Sequence, residues 1–289
     1  MTSPAKERVT IVEVAPRDGL QNESRLVATE DKVRLIDLLS DCGYERIEVT
    51  SFVSPRWVPQ LADAPAVMAD IVRRPGTRYA ALTPNMRGFE AALAAGADEV
   101  AIFASASESF SEKNINCSIV ESIERFRPVA EASRRQGIPL RGYVSCVVEC
   151  PYEGAIAPAQ TARVARLLAD LGCYEISLGD TIGRGTPEAV DAMLTAALRE
   201  IDVKKLAGHF HDTSGLALEN IAVALERGIR VFDASAGGLG GCPYAPGAAG
   251  NVDTLAVNAF LDARGFATGL DSNKLERAAA FALSLRSAA

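Results

Sequence analysis

Eight short runs rich in β-branched residues recur along the chain, at Val9–Val14, Arg46–Thr50, Arg78–Leu82, Glu99–Ala104, Arg141–Val148, Tyr174–Leu178, Leu206–His211 and Arg230–Ala234. A longer Ala- and Leu-rich stretch generally separates one run from the next, as at Thr29–Cys42, Arg87–Ala95, Cys117–Gln136, Pro158–Leu171, Pro187–Glu200 and Ser214–Arg227. These gaps are too wide for hairpins and long enough for helical crossovers, so the strands are expected to pair in parallel. Eight such units in 289 residues predict an α/β fold, a (β/α)8 TIM barrel, in preference to a doubly wound sheet. Gly43, Gly96, Gly172 and Gly228 each follow an apolar-periodic run, where a helix C-cap favours glycine. A last amphipathic stretch, Leu275–Leu285, reads as a C-terminal capping helix or an oligomer contact. With no Ser/Gly linker or low-complexity tract, residues 1–289 are expected to form one catalytic domain.

Composition narrows the partners. Hydrophobic residues make up 48% of the chain, enough for a full core. The formal net charge of −7 is opposite to the basic field of a nucleic-acid binder, so no nucleic acid is expected. No uncharged apolar run reaches membrane-spanning length, and neither end carries a targeting signal, so a cytoplasmic enzyme without a membrane partner is expected. Six cysteines without zinc spacing read mostly as small buried hydrophobes in a reducing compartment.

A barrel of this kind carries its chemistry where the strands run out into loops. The first strand leaves into Arg17, Asp18, Gln21 and Asn22, which is either a solvated loop with a surface ion pair or part of a site. Glu48 interrupts an apolar strand and must face the barrel mouth or be paired. Asp180 ends another strand, as a site acid or as the N-cap of the next helix. His209 and His211, the only two histidines, lie two apart on a strand and so point the same way, about 6.6 Å apart. With Asp18 brought alongside by barrel closure, they suit Mg²⁺ or Mn²⁺ better than a structural zinc. The loop after the last strand, residues 237–251, has six glycines in fifteen positions and can move over a substrate. It holds Cys242, either a packed thiol or a proton carrier, and Asn251, whose amide oxygen is a further metal donor.

The blocks Val12–Glu23, Thr50–Gln60, Lys113–Ser118, Arg141–Cys146, Gly172–Gly183 and Gly238–Ala245 resemble the 3-hydroxy-3-methylglutaryl-CoA lyase family. The resemblance spans about Val9 to Leu270 and implies a metal-dependent TIM-barrel lyase. It assigns Asp18, His209, His211 and Asn251 to the metal. Arg17 is then the group on the enolate oxygen of departing acetyl-CoA, Cys242 the proton donor, and Glu48 and Asp180 active-site acids. Gln21, Ser51 and Tyr143 join Arg17 as expected substrate contacts. The implied reaction is a retro-Claisen cleavage of an acyl-CoA substrate to acetyl-CoA and acetoacetate, with Mg²⁺ or Mn²⁺ as cofactor. A homo-oligomer, dimer or tetramer, is expected. Two departures bear on the substrate: Leu255 and Ala256 stand where the family has Glu-Asp, and Ser214-Gly215-Leu216 replaces Tyr-Gly-Gln. A related thioester, such as citramalyl-CoA or a longer branched glutaryl-CoA, is the near alternative. An acyl-CoA condensing transferase is the more distant one, and a metal-binding protein without catalysis would not need Arg17 and Cys242.

Overall fold

The computed structural model describes residues 6–240 and 250–286. Eight parallel strands close into a barrel: β1 (Thr10–Glu13), β2 (Arg46–Ser51), β3 (Arg78–Leu82), β4 (Glu99–Ser105), β5 (Leu140–Ser145), β6 (Glu175–Asp180), β7 (Leu206–Phe210) and β8 (Val231–Ala234). Neighbours follow chain order, and β8 returns to β1 with Thr10 opposite Val231 and Glu13 opposite Ala234. Closure leaves the barrel without an edge strand.

Around it lie α1 (Thr29–Ser40), α2 (Ala64–Asp70), α3 (Met86–Ala94), α4 (Glu108–Ile115), α5 (Ile119–Gln136), α6 (Pro158–Leu171), α7 (Pro187–Ala197), α8 (Ala217–Glu226), α9 (Thr254–Ala263) and α10 (Ser272–Leu285). The four glycines expected to end helices all have left-handed φ, from +78° to +105°. The helix expected from Cys117 begins at Ile119, where Ser118 and Glu121 cap it reciprocally. A separate α4 precedes it, split off by the left-handed Asn116. The strand expected to run to Val148 stops at Ser145, because Cys146 turns the chain with a φ of +58°. A two-residue hairpin, Glu149–Cys150 against Gly154–Ala155, follows. The C-terminal helix α10 packs on α1, with the Arg34 guanidinium 4.5 Å from the Phe281 ring centre. Among the described residues no helix is long and apolar enough to cross a membrane.

Strand alternation divides the interior into two environments. Outward positions such as Ile47, Val49, Ile102, Val144, Ile176 and Phe232 pack against the helices and make the main apolar core. Inward positions are largely charged. Arg141 on β5 donates from Nη2 and Nη1 to the two Asp233 oxygens on β8, at 2.7 and 3.2 Å. Its Nε donates to Glu175 on β6 at 2.7 Å, and Arg46 on β2 grips the same carboxylate at 2.6 and 3.0 Å. Two guanidinium groups and two carboxylates thus neutralise one another in the lumen, where an unpaired charge would be very costly.

A third buried acid binds the barrel to its loops. Glu13, at the end of β1, accepts from the Ala15 and Ala236 amides at 2.9 Å each through Oε1. Its Oε2 accepts from Tyr44 at 2.6 Å and Thr254 at 3.0 Å. The two amides can only donate, whereas the two hydroxyls can also accept, and burial raises the Glu13 carboxyl to about 7. Glu13→Leu removes the acceptor shared by the two amides and is expected to cost about 1–3 kcal/mol for each donor left unmet. The urea midpoint should fall accordingly; a midpoint equal to wild type would contradict the assignment.

Candidate active site

Directly after β1 the chain makes a single π-helical turn, Ala15–Gly19, in which the Arg17, Asp18 and Gly19 amides all donate to the Val14 carbonyl. The wide turn aims Arg17 and Asp18 inward from adjacent positions. Gly19 has no substitute here, since a Cβ would lie 2.8 Å from Leu239 Cβ and 3.0 Å from Ser235 Oγ. Asp18 thereby meets the two histidines that β7 delivers. Its Oδ2 lies 3.8 Å from His209 Nε2 and 3.9 Å from His211 Nε2.

These three residues offer donor atoms that all lie within 4.8 Å of one another. Ligands about 2.1 Å from an octahedral ion stand roughly 3 Å apart when adjacent and 4.2 Å apart when opposite. The cluster therefore fits a divalent cation with little movement. The imidazoles are also prepared for it. Asp233 Oδ2 lies 3.1 Å from His209 Nδ1, which leaves Nε2 to face Asp18. His211 Nδ1 is buried without a hydrogen-bond partner among the described residues, while its Nε2 faces Asp18. Asn251 is set beside His211 by a β-bridge and donates from Nδ2 to Asp18 Oδ2 at 2.8 Å and to the Leu239 carbonyl at 3.1 Å.

Charge state follows from these contacts. Burial works against ionised Asp18, but Arg17 and then the two histidines outweigh it and hold the carboxyl well below the usual range. Asp233 is likewise held low, its burial overcome by Arg141 and His209. Burial pushes His211 down to about 4, with His209 adding to the effect, so it is neutral at pH 7. Burial also opposes protonation of His209, yet the hydrogen bond and charge of Asp233 raise it.

Arg17 bridges two acids. One Nη contacts Asp18, while Nε and the other Nη reach Glu48 Oε2 at 2.7 and 2.6 Å. Tyr143 donates to the same Glu48 oxygen at 3.1 Å, accepts from Arg141 at 2.7 Å, and sets its ring edge-on to His209. Arg17, Asp18, Glu48, Tyr143, His209, His211 and Asn251 therefore form one connected cluster. Asp180 stands apart, both oxygens being spent on the Gly185 and Arg184 amides at 2.8 and 3.3 Å. It anchors the following loop; the N-cap of α7 is Thr186 instead. Ser51 is buried and accepts from the Val53 amide at 3.2 Å, and Gln21 is half-buried beyond the π-turn. Cys242 lies outside the described residues. Asp233, Arg141, Glu175 and Glu13 were not among the expected site residues; the signal available for them was a charged side chain inside an otherwise apolar strand.

A closed (β/α)8 barrel with one carboxylate and two imidazoles gathered at the ends of its strands defines a barrel protein with a candidate metal-binding triad at its mouth. The HMGL-like family profile matches residues 8–282, and the chain belongs to that family. It is 58% identical over 269 residues to the mitochondrial hydroxymethylglutaryl-CoA lyase of Gallus gallus, covering 93% of this chain and 90% of that protein. A Pseudomonas aeruginosa protein named 3-hydroxy-3-isohexenylglutaryl-CoA/hydroxy-methylglutaryl-CoA lyase is 55% identical over 93% of this chain and 90% of its own length. The crystal structure of the HMG-CoA lyase from Brucella melitensis superposes with a TM-score of 0.96 at 62% identity, covering 97% of this chain and 99% of that one.

The Asp233 contact makes a direct prediction. Asp233→Asn should weaken Mn²⁺ binding about 10–100-fold, the usual effect of removing a carboxylate behind a ligating histidine. Calorimetric titration checks it, and an unchanged Kd would remove Asp233 from the metal centre.

Proposed function

We propose that this protein cleaves 3-hydroxy-3-methylglutaryl-CoA to acetyl-CoA and acetoacetate, using Mg²⁺ or Mn²⁺. The observation that carries the reading is the placing of Arg17 next to Asp18, which puts a buried guanidinium directly beside a cation cluster in a chain of this family. Asp18, His209 and His211 would hold the cation, with Asn251 beside them. A cation bound there would supply Lewis acidity that makes the tertiary hydroxyl easier to deprotonate. Transfer of the hydroxyl proton to solvent lets the C3–O⁻ pair form the new carbonyl as the C2–C3 bond breaks, and the bond's electron pair passes to the thioester as the acetyl-CoA enolate. Arg17 faces the developing charge on the enolate oxygen, where a preorganised guanidinium in a dry site is most effective. Glu48 and Tyr143 fix the direction of that guanidinium. Cys242 returns a proton to the enolate carbon, which completes acetyl-CoA.

A second reading, cleavage of a longer branched 3-hydroxyglutaryl-CoA, is favoured by Leu255 and Ala256 in place of two acids and by the wording of the Pseudomonas relative's name. One experiment separates the readings. Chelated protein is assayed with 3-hydroxy-3-methylglutaryl-CoA, citramalyl-CoA and a long-branched glutaryl-CoA, then again after Mg²⁺ or Mn²⁺. The methylglutaryl thioester should give the highest kcat/KM, and only with metal. Arg17→Gln should lower kcat about 10²–10³-fold with metal affinity retained. Full turnover in chelated protein, or near-native turnover in the variant, would refute the mechanism.

A further inference from the structure

The end of the C-terminal helix reaches back over the turn that follows β8. α10 is firmly seated on the outside of the barrel. Leu275, Ala278 and Ala282 are fully buried, the Asp271 amide before it donates to the Cys42 carbonyl at 2.9 Å, and Phe281 lies against the Arg34 guanidinium. The turn, Ala236–Gly238, leans directly on this helix. Gly237 and Gly238 both have left-handed φ, +68° and +59°, and a Cβ on Gly237 would lie 2.9 Å from Leu283 Cγ and 3.1 Å from the Ala279 carbonyl oxygen. Arg286, exposed just past the last turn of α10, donates from Nη2 to the Gly238 carbonyl at 2.8 Å. A cation at a helix end ordinarily serves that helix's own last carbonyls. Here the guanidinium reaches across to a different segment.

That segment leads to the cation cluster in two steps. The next carbonyl along the chain, that of Leu239, accepts from Asn251 Nδ2 at 3.1 Å, and the same nitrogen donates to Asp18 Oδ2 at 2.8 Å. Both hydrogens of the carboxamide are thus spent, one on the turn and one on the cluster. Leu239 is fully buried, and a Cβ on Gly240 would lie 2.6 Å from Asn251 Nδ2, so the carboxamide has little room to move without the turn. We propose that Arg286 is a positioning residue for the cation cluster. From the outer surface it sets the Gly238 and Leu239 carbonyls, and through them the Asn251 carboxamide against Asp18. The inference rests on reading Asp18, His209 and His211 as a cation site, but not on the reaction or the acyl group cleaved.

Calorimetric titration with Mn²⁺ tests it. Arg286→Ala should weaken binding about three- to tenfold, the order expected for the loss of one hydrogen bond to a charged group. Arg286→Lys keeps a donor within reach of the carbonyl and should recover most of the affinity. Arg277→Ala removes the same charge from the same helix, at an exposed position without a polar contact to a described residue, and should leave the affinity unchanged. In metal-free protein labelled with ¹⁵N-asparagine, the Asn251 carboxamide resonances should shift in Arg286→Ala and return in Arg286→Lys. Unchanged affinity of Arg286→Ala in a protein that binds Mn²⁺ would overturn the inference, as would an equal loss in Arg277→Ala. Carboxamide resonances indifferent to Arg286 would overturn it too. That last readout needs no cation. A carboxamide shift in protein that binds no Mn²⁺ would uphold the link from Arg286 to Asn251 and reject only the cation reading.

Discussion

The ion pair between Arg141 and Asp233 joins opposite parts of the barrel and determines what its mouth can do. Its two parallel hydrogen bonds connect β5 to β8 across the lumen. Glu175 and Arg46 extend the charges toward β2, while Ser177 and His209 complete the contacts of Asp233. Such a buried network is weak evidence for stability, because burying its ions costs much of what their attraction returns. Its effect here is directional. Asp233 is held ionised by Arg141 and faces His209 Nδ1, so the other ring nitrogen is left to face Asp18. Orientation of one ring at the mouth thus depends on guanidinium groups deeper in the barrel.

The opposite wall uses the same chemistry in reverse. There the guanidinium is at the mouth, and the acids Asp18 and Glu48 share it. The π-turn makes this sharing possible by presenting consecutive residues to the same space. Glu13 holds that turn and the start of the loop after β8 through one carboxylate, so both are tied to the end of β1. At the far end of that loop, a Cβ on Gly250 would overlap the Gly240 carbonyl, which brings Asn251 back beside Asp18 and His211.

Much of this was legible from local chemistry. Each strand–helix unit carries its own punctuation, and His209 and His211 converge through strand periodicity alone. Asp18 joins them once closure is inferred. The network behind them was not legible, because Arg141 and Asp233 are 92 residues apart and their pairing depends on strand register. Glu13, Arg46, Arg141, Glu175 and Asp233 share with Glu48 a recurring pattern of charge inside apolar strands. Asp180 shows the converse limit. An acid at a strand end looks the same in sequence whether it meets a substrate or two loop amides, and its two hydrogen bonds favour the amides. Helix α4 was hidden by its polarity and by the left-handed Asn116 that separates it from α5.

Because the chain has only two histidines, the tautomer of His209 can be observed directly. Histidine-selective ¹⁵N labelling and long-range ¹H–¹⁵N correlation of the Mg²⁺-loaded protein should show both rings with their protons on Nδ1, and Asp233→Asn should shift the His209 Nδ1–H resonance while leaving that of His211 in place. A His209 ring protonated on Nε2 with Nδ1 bare, or a spectrum unchanged by Asp233→Asn, would contradict the claim that the lumen charges orient the metal site.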